Sequence, residues 1–132
     1  MLTGSCLCGK VQYEIRSAPL VMYYCHCGAC RKATGSSFAT NIVVKTDDFA
    51  VTAGRDSLAA FESSPNKHRY FCSACGSPIY SHGEKTKHIV SVRSGTLNDD
   101  PGIRPSVHAF VADKASWDEI CDSLPQKPQY FA

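Results

Sequence analysis

Seven of the eight cysteines in this sequence lie in three short clusters. The clusters are Cys6-Leu7-Cys8-Gly9, Cys25-His26-Cys27-Gly28-Ala29-Cys30 and Phe71-Cys72-Ser73-Ala74-Cys75-Gly76. In a C-x-x-C turn both sulfurs converge on one point, and in an extended C-x-C segment both side chains share a face. Thiolates grouped in this way bind soft divalent cations, Zn²⁺ above all. The spacing therefore predicts a zinc-binding protein.

Seven sulfurs cannot complete two tetrahedral zinc sites, because each ion prefers four ligands. One coordination position is left for water, a substrate or another side chain. A closed four-cysteine site stabilises a fold, whereas a site with three protein ligands is the arrangement that catalytic zinc uses. We therefore expect two zinc ions per chain, one structural and one open. A histidine that completes the second site is the alternative.

The spacing leaves two ways of dividing the cysteines between the ions. One division is a zinc ribbon made of the two C-x-x-C motifs, Cys27, Cys30, Cys72 and Cys75. The other keeps the central cluster, Cys25, Cys27 and Cys30, for one ion and combines the outer clusters, Cys6, Cys8, Cys72 and Cys75, for the second. The second division is favoured, since the ribbon separates Cys25 from its two nearest partners.

Three residues near the central cluster are candidates for a role around the open site. His26 lies between two cysteines, and in an extended segment its side chain points away from their shared metal. Arg31 follows the cluster and could meet a substrate carboxylate, and Ser36 could hydrogen-bond a carbonyl oxygen. Two further residues are expected to be structural: His108 at the edge of the core and Cys121 as a small buried hydrophobe.

Short alternating and apolar stretches predict a mainly β architecture of antiparallel strands. The expected strands span 10–15, 21–24, 38–44, 49–52, 57–61, 68–71, 79–81, 88–92 and 107–111. A short helix is expected over 29–34, with Gly35 as its C-terminal cap. A second, C-terminal helix is expected over 117–124, because Ser116 and Glu119 fit a capping box and Pro125 ends it.

The composition is that of one globular domain spanning residues 1–132, with 43% hydrophobic and 20% charged residues. No apolar run reaches membrane-spanning length and the first ten residues lack signal-peptide features, so we expect a cytoplasmic protein with reduced cysteines. Seven thiolates on two zinc ions lower the formal charge of +2 by three, to −1. The charge therefore gives no support for nucleic-acid binding.

The sequence resembles the glutathione-dependent formaldehyde-activating enzyme family, which also includes centromere protein V. The resemblance covers nearly the whole chain and is carried first by the seven clustered cysteines. Supporting stretches are 4–9, 35–38, 69–80, 94–98, 108–111 and 117–125.

This resemblance implies a β-tent fold in which Cys6, Cys8, Cys72 and Cys75 bind a structural zinc and Cys25, Cys27 and Cys30 a catalytic one. It also implies a carbon-sulfur lyase activity, the addition of formaldehyde to the thiol of glutathione to give S-hydroxymethylglutathione. A zinc-stabilised binding module without turnover is the alternative function. A thiol redox protein is the weakest interpretation, because the C-x-x-C motifs occur together with further clustered cysteines.

Overall fold

A computed structural model of the chain, which describes residues 1–130, contains ten strands in two sheets. The strands are β1 (Leu2–Ser5), β2 (Gln12–Ile15), β3 (Val21–Cys25), β4 (Ala39–Lys45), β5 (Phe49–Ala53), β6 (Leu58–Ser64), β7 (Lys67–Cys72), β8 (Pro78–Gly83), β9 (Ile89–Arg93) and β10 (His108–Ala109). The α-helix in this part of the chain is α1 (Gly28–Thr34). The predicted mainly β fold is confirmed.

The strands are arranged as a three-stranded sheet, β1-β2-β5, and a seven-stranded sheet, β10-β3-β4-β9-β8-β7-β6. Neighbouring strands are antiparallel, except that β10 pairs parallel with β3. Each predicted strand overlaps an observed one, and β1 was not predicted. Within residues 1–130 no helix is long and apolar enough to cross a membrane.

The main hydrophobic core lies between the two sheets. The period-two alternation of Val11, Tyr13 and Ile15 buries all three side chains, each 1% exposed or less. Ile42 and Val92 meet them from the seven-stranded sheet. Burial of each such aliphatic side chain stabilises the fold by about 1.5–3 kcal/mol.

The opposite face of the seven-stranded sheet carries polar side chains in register across neighbouring strands. Tyr23 pairs with Asn41 and Asn41 with Arg93, while Ser91 pairs with Ser81 and Ser81 with Arg69. Residues directly opposite on antiparallel strands share a face, so these pairs form two polar rows. Helix α1 and the central cysteine cluster lie on this polar face.

Helix α1 begins after Cys27 and ends where the sequence predicts. Gly35 caps it in the left-handed region, with φ 64°, and its backbone N–H donates to the carbonyl of Arg31.

The predicted C-terminal helix over 117–124 is wrong, because this segment forms turns and irregular backbone. A helix this short needs tertiary packing of an apolar face, yet Trp117 is 73% exposed. The segment instead bonds to the rest of the fold: Asp122 accepts from His108, and the carbonyl of Pro125 accepts from its backbone N–H. Cys121 is consequently exposed rather than buried, which corrects the second expectation for this segment.

Gly54 sits where the chain turns after β5, and we expect Gly54→Ala to destabilise the protein strongly. Its φ is +78°, and an added Cβ would lie 2.0 Å from the backbone oxygen of Lys10, which cannot rotate away. Gly102 has the same φ and open space around it, so Gly102→Ala is the matched control. In Gly102→Ala the free energy of unfolding should fall by about 1–2 kcal/mol, because of the left-handed backbone alone. In Gly54→Ala it should fall by about 1–3 kcal/mol more, because of the steric clash. Urea unfolding measures both, and equal losses would contradict the steric explanation.

Candidate metal centres and an adjoining cavity

The first and third cysteine clusters meet in one group of four sulfurs, here called the four-sulfur group: Cys6, Cys8, Cys72 and Cys75. Their Sγ atoms all lie within 4.8 Å of one another, with Cys6 and Cys8 3.5 Å apart and Cys8 and Cys72 3.8 Å apart. Sulfurs bound at about 2.3 Å to one tetrahedral zinc would be about 3.8 Å apart. The donor set and its spacing therefore fit a closed zinc site.

Hydrogen-bond donors surround the four-sulfur group. The backbone N–H of Val11 donates to Cys6 Sγ at 3.3 Å, and Ser77 Oγ lies 3.2 Å from Cys75 Sγ. The Ser77 hydroxyl, assisted by backbone N–H groups, lowers the pKa of Cys75 to about 5. Ser77 also accepts from the backbone N–H of Leu7 at 2.9 Å, so it connects the turn after β1 to the turn after β7. These contacts favour the thiolates that a metal requires.

The central cluster forms a separate three-sulfur group: Cys25, Cys27 and Cys30. Cys25 ends β3, Cys27 is the N-cap of α1, and Cys30 lies within α1, where its backbone N–H donates to Cys27 Sγ at 3.3 Å. Among residues 1–130, no histidine, carboxylate or fourth cysteine joins this group. Three sulfur donors around one point fit zinc with a coordination position left for another ligand.

The three thiols of this group share negative charge unequally. Hydrogen bonds from Cys25 and Cys27 lower the pKa of Cys30 to about 2, with further help from the positive charges of Arg69 and Arg93. Hydrogen bonds with Cys27 and Cys30 raise the pKa of Cys25. The thiolate is therefore best stabilised at Cys30, the sulfur that the Arg69 guanidinium contacts.

Two arginines of the polar face lie beside the three-sulfur group. Arg69 directs Nη1 and Nη2 at Cys30 Sγ, at 3.7 and 3.8 Å. Arg93 is 94% buried and donates from Nη1 to Asn41 Oδ1 at 2.8 Å. Burial lowers the pKa of Arg93, while the nearby Cys30 thiolate raises it. The two cations therefore offset the negative charge of the sulfurs.

A cavity of about 380 Å³ opens from the three-sulfur group across the polar face, and it is called the first cavity here. Its lining includes all three sulfurs of that group together with Tyr23, Asn41, Lys67, Arg69, Ser81, Ser91, Arg93 and Phe110. No carboxylate and none of the four-sulfur group is among the described residues that line it. Apart from the cysteine thiolates, the charged side chains that line the first cavity are therefore cations. The volume of the cavity suits a small organic ligand.

His26 does not join the sulfurs but begins a buried hydrogen-bonded chain behind them. Its Nε2 lies 2.8 Å from His108 Nδ1, and His108 Nε2 lies 3.0 Å from both carboxylate oxygens of Asp122. Both rings are buried, and the bond from His108 lowers the pKa of Asp122. His26 and His108 therefore connect the cysteine loop to β10 and to the C-terminal segment.

Arg31 and Ser36, the other candidates of the sequence, lie outside the described lining of the first cavity. Sequence reasoning instead missed Asn41, Arg69 and Arg93. The available signals were a lone Asn within the apolar run of β4 and an Arg at the end of β9.

A family model for the glutathione-dependent formaldehyde-activating enzyme matches residues 1–113, which hold both sulfur groups and all ten described strands. The chain belongs to the glutathione-dependent formaldehyde-activating enzyme family. The resemblance inferred from the cysteine pattern is thereby confirmed.

Curated relatives in several organisms carry the name of the same family. A Halomonas elongata protein is 30% identical over 129 residues, which cover 91% of this chain and 81% of that protein. A Podospora anserina protein is 30% identical over 132 residues, covering 98% of this chain and 53% of the relative. The chain thus spans most of the bacterial relative and about half of the fungal one.

The fold of this family member also matches a solved structure. The crystal structure of a Rhodobacter sphaeroides protein superimposes with a TM-score of 0.63 at 23% identity, covering 78% of this chain and 91% of that one. The match supports the arrangement of the two sheets.

Proposed function

We propose that this protein is a zinc-dependent enzyme of the carbon-sulfur lyase type that adds an aldehyde such as formaldehyde to a thiol such as glutathione. The observation that carries the proposal is the three-sulfur group, which lacks a fourth described protein donor and opens into a positively charged cavity. The family's name and the names of its relatives point to the same substrates.

In this proposal the four-sulfur group holds a structural zinc and the three-sulfur group, Cys25, Cys27 and Cys30, holds the catalytic one. Zinc bound by three thiolates supplies Lewis acidity and a position at which a thiol or water becomes more acidic. Clustered cysteines that bind metal are typical of a reducing compartment, and we place the protein in the cytoplasm.

The residues of the first cavity bind and orient the reactants. Glutathione carries two carboxylates, and Lys67, Arg69 and Arg93 are the cations that line the cavity. Tyr23 and Ser91 have their hydroxyl oxygens 3.3 Å apart, so Tyr23 can donate to Ser91 while Ser91 donates to the aldehyde oxygen. The sulfur–carbon bond forms as the carbonyl π bond opens, and the proton lost by the thiol ends on the new hydroxyl. No oxidant or reductant is needed.

Thiol binding at the three-sulfur group is tested by titrating cobalt-substituted protein with glutathione. We expect the thiolate-to-metal absorption to increase, because Co²⁺ takes the zinc position and a fourth sulfur adds to its coordination. S-methylglutathione is the matched control, since its thioether cannot become a thiolate, and it should leave the band unchanged. If glutathione leaves the absorption unchanged, its thiol does not coordinate the metal, and this part of the proposal is wrong.

Turnover is measured by exchange NMR of formaldehyde, glutathione and their adduct at equilibrium. Zinc-loaded protein should accelerate exchange between the free thiol and the adduct at constant adduct concentration. Protein carrying both zinc ions that leaves the exchange rate unchanged would favour the binding module.

A further inference from the structure

A second cavity of about 210 Å³ is lined by residues of α1 and of strands β6 to β9. Apolar and aromatic residues make up most of its lining: Ala33, Phe61, Tyr70, Phe71, Gly76, Pro78 and Tyr80. The remaining two residues that line it are Arg69 and Arg93. The mechanism proposed above uses none of its apolar residues.

The second cavity adjoins the first, because Arg69 and Arg93 border both. Helix α1 also serves both, since Cys30 lines the first cavity and Ala33, about one turn further along, lines the second. Arg69 contacts Cys30 Sγ directly. Arg69 therefore contacts the three-sulfur group and borders the second cavity at the same time.

The lining of the second cavity suits an uncharged ring. Phe61 and Phe71 offer aromatic surface, and the planar guanidinium groups favour the face of an aromatic ligand. A dry protein cavity of about 150 Å³ is large enough for benzene, so this one has room for a phenyl group and its linking carbon. Formaldehyde has no substituent that could fill it.

We propose that the second cavity receives the apolar substituent of the aldehyde, so that this chain acts on aldehydes larger than formaldehyde, aromatic ones in particular. The inference rests on the proposed function, because it assumes that thiol and aldehyde meet at the three-sulfur group. The bonds formed and broken are those given above, and only the aldehyde substituent differs.

The experiment compares the affinity of zinc-loaded protein for two unreactive adduct analogues, S-benzylglutathione and S-methylglutathione, by isothermal titration calorimetry. Both share the peptide, and only the first carries a ring. Wild-type protein should bind S-benzylglutathione at least about 10-fold more tightly, because burial of a phenyl ring removes its apolar surface from water.

Ala33→Phe fills the second cavity from the exposed face of α1 and should abolish this preference while leaving the affinity for S-methylglutathione unchanged. Ala60→Phe makes the same change at an exposed position of β6 outside both cavities, and should keep the preference. Phe61→Ser removes an exposed wall residue and should reduce the preference, which provides a second test if Ala33→Phe does not fold.

Equal affinity of wild-type protein for the two analogues would overturn the inference, as would an unchanged preference in a folded Ala33→Phe protein. The exchange rate with formaldehyde and glutathione separates this failure from that of the proposed function. If formaldehyde exchange is accelerated and the ring preference is absent, only the second cavity has been misassigned.

Discussion

Cys72→Ala is expected to release one zinc ion and unfold the protein, whereas Cys27→Ala should release the other ion and leave the fold intact. Cys72 is fully buried in the main core, and its group joins the end of β7 to the turn between β1 and β2. Structural zinc contributes about 10–16 kcal/mol in small metal-dependent domains, which equals or exceeds the whole stability of a typical domain. Cys27 is partly exposed at the start of α1, outside that core.

Metal quantification and circular dichroism measure the two effects. Wild-type protein should hold two zinc ions, Cys27→Ala one ion with a native spectrum, and Cys72→Ala should appear unfolded or aggregated. Cys121→Ala is the matched control, because Cys121 is exposed and belongs to neither sulfur group, and it should keep both ions. Equal collapse of the Cys27 and Cys72 variants would contradict the division into a structural and an open site.

Arg69→Gln is expected to lower kcat/KM for glutathione by about 10- to 100-fold. Its guanidinium lies 3.7 Å from Cys30 Sγ and lines the first cavity, so its loss removes a cation from both the sulfurs and a bound carboxylate. A hydrogen bond to a charged group is worth about 1.5–3 kcal/mol, which gives this range. Increasing salt should reduce the difference in kcat/KM between the variant and the wild type, because salt screens the attraction between Arg69 and a carboxylate.

A neutral thiol, 2-mercaptoethanol, separates the two roles of Arg69. If the arginine recognises a carboxylate, the loss with 2-mercaptoethanol should be several-fold smaller than with glutathione. Arg16→Gln is the control at an exposed arginine outside the first cavity, and its kinetics should match the wild type. Identical losses with both thiols would assign Arg69 to the sulfurs alone.

The spacing of residues within short segments predicted the central cysteine cluster, strand β2 and helix α1. These features depend on contacts between residues that are close in sequence. Within the central cluster, one and two residues lie between successive cysteines, so backbone geometry alone brings their sulfurs close. The alternation at Val11, Tyr13 and Ile15 likewise places three side chains in the core. Helix α1 and its Gly35 cap follow from local preferences of the backbone.

Local preference failed at the C-terminal segment. The capping box at Ser116 and Glu119 is a real helix-start pattern, but it stabilises a short helix too weakly to compete with tertiary bonds. Asp122 bonds to His108 of β10 instead, and the backbone after Asp122 bonds to that of residues 108–112. Those partners are distant in sequence, and no pattern within residues 116–125 reveals them.

By itself, the sequence predicted that the seven clustered cysteines could bind metal and that the chain is built mainly of strands. The structure brings Cys6 and Cys8 to Cys72 and Cys75, the division that the sequence favoured, whereas tertiary structure alone decided that Asn41, Arg69 and Arg93 lie beside the three-sulfur group. The physical reason is that strand register between β4, β9, β8 and β7 aligns side chains up to 52 residues apart. Register depends on the packing of the whole sheet, so no single segment encodes the first cavity.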